Sequence, residues 1–286
     1  MPEDTIRNPP PKPSWLLRPI SAGTSSRRVL RLIESSGVRT VCRESRCPNT
    51  GECFSHGTAT ILILGTRCTR SCRFCGIGSG AGMPPGPDEP LRVAETVLRL
   101  GLRCVVITSV TRDDLPDGGA GRFAATVRAL KTHVPDARIE VLVPDFGGSE
   151  QSVRVVLEAC PDVFAHNLDT VPRLFPLIKP GADYRRSLAV IETVGRLEPG
   201  IPRKSGLMLG MGETRGEVET SLGDLASAGC SMVTIGQYLM PSRSQAPVER
   251  FVTPVEFDDW KAVALGMGFS SVASGPFVRS SYRAWE

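Results

Sequence analysis

The chain lacks the long apolar run that a membrane span needs. Its 286 residues contain no stretch near the roughly 18–20 apolar residues of a transmembrane helix. Residues 1–13 are polar and proline-rich, without the apolar core of a signal peptide. Neither charge dominates, because 34 basic and 30 acidic residues leave a net charge of +4 and the basic residues are scattered. We therefore expect no export or organelle signal, no membrane contact and no nucleic-acid partner.

Histidine is also scarce, with three in the chain, and the nine cysteines are an odd number. Most of these cysteines are clustered locally, which argues against the disulfide framework of a small secreted protein. A reducing, cytoplasmic location is therefore expected.

What the chain does have is two cysteine triplets. The first is Cys42-x4-Cys47-x5-Cys53, and the second is Cys68-x3-Cys72-x2-Cys75. Three soft thiolates suit a cubic iron–sulfur cluster that keeps one iron open for a different ligand. Two triplets therefore indicate two [4Fe-4S] clusters with different tasks.

Other interpretations of the triplets are weaker. A structural zinc site usually has four ligands in paired Cys units or with histidines, and C-x3-C-x2-C does not follow that spacing. A redox disulfide would need two of the three cysteines. The prolines and glycines around the first triplet, such as Pro48 and Gly51, predict that it lies on a loop.

Strand-like and helix-like segments alternate after residue 58. Short apolar, β-branched runs occupy residues 60–64, 104–108, 139–143, 163–166, 205–209 and 232–236, with a possible further strand at 270–273. Helix-length segments follow them at residues 89–100, 121–133, 151–159, 185–197, 213–228 and 255–267. This order predicts an α/β fold with a parallel sheet, a partial TIM-type (β/α)6 barrel.

Three parts of the chain are predicted. Residues 1–57 form an N-terminal extension with the first triplet, a short helix at 27–36 and a flexible leader in the first dozen residues. Residues 58–270 form the barrel, and residues 271–286 form a short C-terminal segment.

The second triplet follows the first predicted barrel strand, where parallel barrels build their active sites. C-x3-C-x2-C at this position resembles the radical S-adenosylmethionine (SAM) superfamily. The glycine-rich stretch Gly206-x-Met208-x-Gly210-x-x-Glu213 also matches that superfamily. The resemblance implies that Cys68, Cys72 and Cys75 hold a cluster whose open iron binds SAM.

The first triplet and the ending Arg279-Ser-Ser-Tyr-Arg-Ala284 together resemble the lipoyl synthase family. Further matching stretches include Arg112-Asp-Asp-Leu115, Val143-Pro-Asp145 and Lys204-Ser-Gly206, and the resemblance covers roughly residues 38–284. It implies sulfur insertion at C6 and C8 of a protein-bound octanoyl-lysine, which gives the lipoyl cofactor.

The same resemblance implies roles for individual residues. Cys42, Cys47 and Cys53 would hold an auxiliary [4Fe-4S] cluster that donates the sulfur, with Ser281 as its fourth ligand. The residues implied to bind SAM are Thr108, Asn167, Lys204, Gly206 and Glu213.

The implied partners are octanoylated lipoyl-carrier proteins, such as the glycine cleavage H protein and the acyltransferase subunits of 2-oxoacid dehydrogenases. An electron donor and an iron–sulfur cluster carrier are also implied.

Two other functions are compatible with two clusters. One is a different radical SAM enzyme, such as a methylthiotransferase or maturase, against which the Ser280-Ser281-Tyr282 ending argues. The other is an electron-transfer or cluster-carrier protein, which would not cleave SAM.

Several residues carry weaker signals. Cys104, Cys160 and Cys230 flank predicted strands and are expected to be small buried residues. Arg112, Asp113 and Asp114 follow the second strand, and their place favours a role in orienting substrate over a solvated turn.

Overall fold

A computed structural model of the chain describes residues 11–17, 24–45, 47–282 and 284. At its centre is one sheet with eight strands in sequence order. The strands are β1 (Arg39–Thr40), β2 (Thr58–Ile63), β3 (Cys104–Ser109), β4 (Arg138–Leu142), β5 (Val163–Ala165), β6 (Arg203–Leu209), β7 (Met232–Gln237) and β8 (Ser271–Gly275). Strand β1 is antiparallel to β2, and every later neighbour pair is parallel.

Helices cover the outer side of the sheet. They are α1 (Thr24–Ser36), α2 (Val41–Glu44), α3 (Thr50–Ser55), α4 (Glu89–Leu100), α5 (Ala120–His133), α6 (Glu150–Leu157), α7 (Phe175–Ile178), α8 (Tyr184–Leu197), α9 (Arg215–Ser227) and α10 (Pro254–Gly266). Helices α9 and α10 each begin at a threonine that accepts a bond from the backbone of a glutamate three residues later, and that glutamate bonds back. Such capping boxes fix where a helix starts.

The predicted partial barrel is confirmed. Each of the six predicted strand–helix pairs is present, α4 has the predicted bounds, and the possible strand at 270–273 is β8. Strands β1 and β8 are the two edges of the sheet, so the barrel is open.

The prediction of a loop around the first triplet is wrong in part. Cys42 lies in α2 and Cys53 in α3, while Cys47 lies between these helices. Both helices are single turns that end within a few residues of a proline or glycine, so they are too short to show a helical period in the sequence.

The apolar core has an outer and an inner part. Outside the sheet, buried side chains of strands and helices pack in two large clusters, one for each half of the chain. Inside the barrel, a small cluster joins Cys104 and Val106 of β3 to Ala284. The C-terminal segment, here residues 276–282 and 284, therefore enters the barrel interior.

Of the three cysteines outside the triplets, Cys104 and Cys230 are buried, as predicted. The prediction for Cys160 is wrong, because its side chain is exposed. Cys160 lies in the turn after α6 with a φ of 57°, a left-handed turn at the surface.

The predicted leader falls largely outside the described residues, whereas the helix predicted at 27–36 is α1. Among the residues that the structure describes, no helix combines the length and apolarity needed to cross a membrane.

Candidate active site

A cavity of about 950 Å³ opens inside the barrel, above the carboxyl ends of the strands. Its wall contains all six triplet cysteines and Ser281, together with Thr58, Thr60, Leu62, Thr108, His166, Asn167, Asp169, Lys179, Met208 and Gln237. The two triplets and the serine are thus brought together at one site, although they come from distant parts of the sequence.

The second triplet lies on a loop (residues 65–88, the cluster loop) that leaves β2 through Leu64 and Gly65, both with positive φ. The Cys68 amide donates to the Gly78 carbonyl at 3.0 Å, which closes the loop on itself. The amides of Arg70 and Ile77 donate to the sulfurs of Cys68 and Cys75 at 3.4 and 3.5 Å. Burial raises the pKa of Cys75, and the bond from the Ile77 amide partly offsets that rise.

Arg70 fixes the cluster loop to the strands beside it. Its guanidinium donates two bonds to Asp145, after β4, and two to Asp113, after β3, at 2.7–3.0 Å. Burial alone would raise the pKa of Asp145, but its bonds to Arg70 hold that pKa below the usual range.

The expected role of the Arg112–Asp114 stretch in orienting substrate remains a prediction. In the structure Arg112 is buried, pairs with Asp114 at 2.7 Å and donates to the carbonyls of Leu64 and Met83. Asp113 pairs with Arg70. The observed contacts of this stretch are therefore with the chain itself, and they hold the cluster loop in place.

The first triplet is held by bonds within its own segment. The Cys47 amide donates to the Cys42 carbonyl at 3.0 Å, and the Thr50 hydroxyl donates to the Cys47 carbonyl at 2.8 Å. These contacts turn the chain so that Cys42, Cys47 and Cys53 all reach the cavity wall.

The C-terminal segment meets this triplet. Asn49 donates to the Phe277 carbonyl at 2.6 Å, and the Tyr282 hydroxyl donates to Glu52 at 2.7 Å. Gly236 of β7 allows the close approach, because a Cβ there would collide with the Val278 carbonyl. Ser281 reaches the cavity between these contacts.

The thiols fit iron–sulfur clusters. Burial raises the pKa of Cys42 to about 11, and those of Cys53 and Cys72 to about 12. Without a metal these thiols are neutral near neutral pH, and bound iron supplies the positive charge that stabilises their thiolates.

The spacing of the thiols also bears on the kind of metal centre. Within the described part of the chain, no three His, Cys, Asp or Glu side chains are grouped closely enough to hold one metal ion. A zinc ion needs such a group, whereas a cubic cluster binds each thiolate through a different iron. Three thiolates in each triplet are the donor set of a cubic cluster that keeps one iron open for another ligand.

Three of the five predicted SAM contacts lie at or beside the cavity. Thr108 and Asn167 are in its wall, and the Asn167 Oδ1 has no hydrogen-bond partner among the described residues. Gly206 lies beneath Asn167, since a Cβ on it would approach the Asn167 Oδ1 to 3.0 Å and the Thr234 hydroxyl to 2.7 Å.

The other two predicted SAM contacts, Lys204 and Glu213, lie outside the cavity wall. Lys204 is buried and pairs with Glu140 at 2.8 Å beside a smaller cavity of about 310 Å³. Glu213 accepts bonds from the Gly210 and Met211 amides at 2.6 and 2.9 Å, which fixes the glycine-rich turn. Their predicted contact with SAM remains a prediction.

Sequence reasoning missed an ion pair in the cavity wall. Asp169 binds Lys179 at 2.9 Å, and the same ammonium donates to the Asn167 carbonyl at 3.1 Å. Asp169 follows β5 closely, and its place after a parallel strand was a usable signal. Lys179, just after α7, carried no such signal in the sequence.

His166 is a second residue of the cavity wall for which the sequence predicted no contact. Its Nδ1 bonds to the Val143 carbonyl at 2.8 Å, and its Nε2 has no partner among the described residues. Burial, with the charge of Lys179, lowers the pKa of His166 to about 4. The ring is therefore neutral, with Nδ1 as the donor and Nε2 as a free acceptor at the cavity.

Comparison with known proteins gives consistent matches. The model of the radical SAM superfamily matches residues 62–225, more than half of the chain. The lipoyl synthase of Methylococcus capsulatus is 53% identical over 274 residues, which cover 96% of this chain and 85% of that protein. The lipoyl synthase of Chlorobium phaeovibrioides is 51% identical over 274 residues, which cover 96% of each chain.

Solved structures of similar fold are more distant in sequence. Methylornithine synthase (PylB) has a TM-score of 0.52 and 15% identity, and the match covers 91% of this chain and 87% of that one. The hydrogenase maturase HydG has a TM-score of 0.58 and 12% identity, with 87% and 68% covered. At this identity the two structures show a shared fold alone.

Proposed function

Since the chain belongs to the lipoyl synthase family of radical SAM enzymes, we propose that each of its cysteine triplets holds one of two [4Fe-4S] clusters. The enzyme uses SAM to insert sulfur at C6 and C8 of a protein-bound octanoyl-lysine. When bound, one cluster with SAM supplies the radical that removes hydrogen, and the other supplies the sulfur.

Cys68, Cys72 and Cys75 are proposed to hold the radical cluster. This assignment is supported by their place on the first loop after a parallel barrel strand, where active sites of such barrels form. Thr108 and Asn167 share the cavity wall with them and are proposed to contact SAM. Gly206, Glu213 and Lys204 are proposed to bind SAM as well.

Cys42, Cys47, Cys53 and Ser281 are proposed to hold the auxiliary cluster. The observation that carries this assignment is that Ser281 and the three cysteines line one cavity, although the first triplet and the C-terminal segment are more than 200 residues apart. A serine oxygen is a harder ligand than a thiolate. It is therefore suited to a cluster that must release iron when its sulfur is used.

The three-part division of the chain follows from this assignment. Residues 1–57 and 271–286 are proposed to supply the auxiliary cluster ligands, and residues 58–270 to generate the radical. Strands β1 and β8 tie the two outer parts to the sheet.

The partners proposed are those that the chemistry requires. The octanoyl chain is protein-bound, and the proposed carriers are the glycine cleavage H protein and the acyltransferase subunits of 2-oxoacid dehydrogenases. An electron donor and a cluster carrier are proposed as well. All nine cysteines are free thiols, which supports a reducing, cytoplasmic location.

Ser281→Ala tests the auxiliary ligand directly. Lipoyl product should fall by at least about tenfold, the loss that even an outer partner of a metal site causes. Formation of 5′-deoxyadenosine should continue, because the radical cluster keeps its three cysteines. Both products are measured by mass spectrometry with an octanoylated carrier domain and a strong reductant.

The matched control is Ser280→Ala, which removes the neighbouring hydroxyl from the same cavity wall. It should keep most of the lipoyl product. Full lipoyl yield from Ser281→Ala would show that the serine is not needed as a ligand.

A further inference from the structure

Two side-chain bonds connect the first triplet to the C-terminal segment on either side of Ser281. Asn49 donates to the Phe277 carbonyl upstream, and Tyr282 donates to Glu52 immediately downstream. Asn49 lies between Cys47 and Cys53, and Glu52 directly precedes Cys53. The helix and turn that present the thiols therefore also hold the serine. We call these two bonds the tail clamp.

The upstream half of the clamp is enclosed. Asn49 is 1% exposed, so water cannot readily replace its bond to the Phe277 carbonyl. Strand β7 confines this part of the segment further, since Gly236 leaves room for the Val278 carbonyl where a side chain would collide with it.

Beyond Ser281 the chain is held again. Ala284 is buried against Cys104, whose Sγ lies 3.2 Å from the Ala284 carbonyl. With both ends of the segment confined, the bond between Tyr282 and Glu52 joins the residue next to Ser281 to the residue next to Cys53.

The downstream half of the tail clamp joins a carboxylate, that of Glu52, to the hydroxyl of Tyr282. Glu52 directly precedes Cys53, so its carboxylate places a negative charge beside the first triplet. A negative charge beside three thiolates is electrostatically unfavourable for cluster binding. A carboxylate at this place is explained if its bond to the Tyr282 hydroxyl, a bond to a charged acceptor, is needed.

We propose that Glu52, Tyr282 and Asn49 are positioning residues that hold Ser281 at the auxiliary cluster. This inference rests on the proposed ligand role of Ser281 and extends it. With the clamp intact, radical formation leads to sulfur transfer. Without it, Ser281 leaves its position more often, and SAM is cleaved without product.

Tyr282→Phe removes the hydroxyl and keeps the ring. Because a bond to a charged acceptor is lost, the ratio of 5′-deoxyadenosine to lipoyl product should rise by at least about tenfold. The rate of 5′-deoxyadenosine formation itself should not change, because the substitution leaves Cys68, Cys72 and Cys75 of the cluster loop in place.

A spectroscopic readout separates positioning from loss of structure. In a Cys72→Ala background, which removes a ligand of the radical cluster, the auxiliary cluster is observed without it. Addition of Tyr282→Phe should change the Mössbauer signal of the unique iron, while the iron content of the auxiliary cluster is retained.

Three further variants serve as controls. Glu52→Gln leaves Tyr282 a neutral acceptor and should give a ratio between those of the wild type and Tyr282→Phe, whereas Glu52→Leu should behave like Tyr282→Phe. Tyr184→Phe removes a similar hydroxyl, which bonds to Asp224 at 2.8 Å outside the barrel. It should leave the ratio unchanged.

The outcomes are distinguishable. If Ser281→Ala loses lipoyl product but Tyr282→Phe shows the wild-type ratio and the wild-type iron signal, the clamp is wrong and the proposed function stands. If Ser281→Ala makes full product, the serine ligand is wrong and the clamp falls with it.

Discussion

His166 shows how burial fixes the chemistry of a single residue at this site. Its Nδ1–H is used by the Val143 carbonyl, so Nε2 faces the cavity as a neutral acceptor. A ligand that donates a hydrogen bond, such as one with hydroxyl or amino groups, suits this position. SAM carries both.

The depressed pKa of His166 predicts a pH dependence of stability. The pKa is about 4 in the folded protein against 6.5 as the reference, so the unfolded chain binds the proton more readily. The contribution of neutral His166 to the unfolding free energy is complete above pH 6.5 and is lost as the pH falls toward 4. The loss amounts to about 3 kcal/mol of unfolding free energy.

His166→Asn keeps a donor for the Val143 carbonyl but has no titrating group. Denaturant unfolding of the cluster-free protein from pH 7 to 4.5 should show a smaller decrease in stability for this variant than for the wild type. Parallel curves for the two proteins would mean that His166 does not titrate as described.

At the residue scale, the sequence predicted which side chains belong to the site better than it predicted their contacts. The triplets and Ser281 could be named from spacing and resemblance, and the structure brings them to one cavity. The ion pair of Lys204 with Glu140 could not be predicted, because it depends on which face of each strand points inward. The exposure of Cys160 could not be predicted either, because it depends on the backbone angle of one turn.

At the scale of elements, the cluster loop is held by buried charges. Asp145 receives bonds from Arg70 and from Arg186, and its side chain is 1% exposed. The pairing ties the loop after β2 to the loop after β4 and to the start of α8. The position of Cys68, Cys72 and Cys75 therefore depends on a carboxylate in another loop.

Asp145→Asn should lower the unfolding free energy of the cluster-free protein by about 3–5 kcal/mol, because it leaves two arginines without their buried carboxylate. Denaturant unfolding measures this loss. The variant should also take up less iron in the radical cluster, since the cluster loop loses its ion pair with the loop after β4.

Glu150→Gln is the matched control. Glu150 also pairs with two arginines, Arg154 and Arg196, but all three side chains are largely exposed. Little change in stability is expected for this exposed cluster. Equal effects of the two substitutions would contradict a special role for the buried network.

Elements with a clear period were predictable. Strands such as β3 and β7 are runs of β-branched and apolar residues, and α4 has an apolar face between an acidic start and Gly101. Elements too short to show a hydrophobic period were not predictable. Strand β1 has two residues and α2 has four, and both are formed by contacts with β2 rather than by local preference.

At the scale of the whole molecule, the open barrel explains how distant segments meet. Because β1 and β8 do not pair with each other, the chain before β2 and the chain after β8 lie at the two edges of the opening. There α3 and the C-terminal segment contact each other through Glu52 and Tyr282. A single sequence shows no pattern for such a contact between its two ends.

The same arrangement places both triplets around one cavity, as the proposed division into a radical cluster and a sulfur-donating cluster requires. The central claim is that the two triplets have separate tasks. It requires that the tasks can be separated by substitution.

Comparison of Cys42→Ala with Cys72→Ala tests this claim most directly. Each reconstituted variant is incubated with an octanoylated carrier domain, SAM and a strong reductant, and both products are quantified by mass spectrometry. Cys42→Ala should form 5′-deoxyadenosine but no lipoyl group, and Cys72→Ala should form neither. Lipoyl product from Cys42→Ala, or 5′-deoxyadenosine from Cys72→Ala at the wild-type rate, would contradict the account.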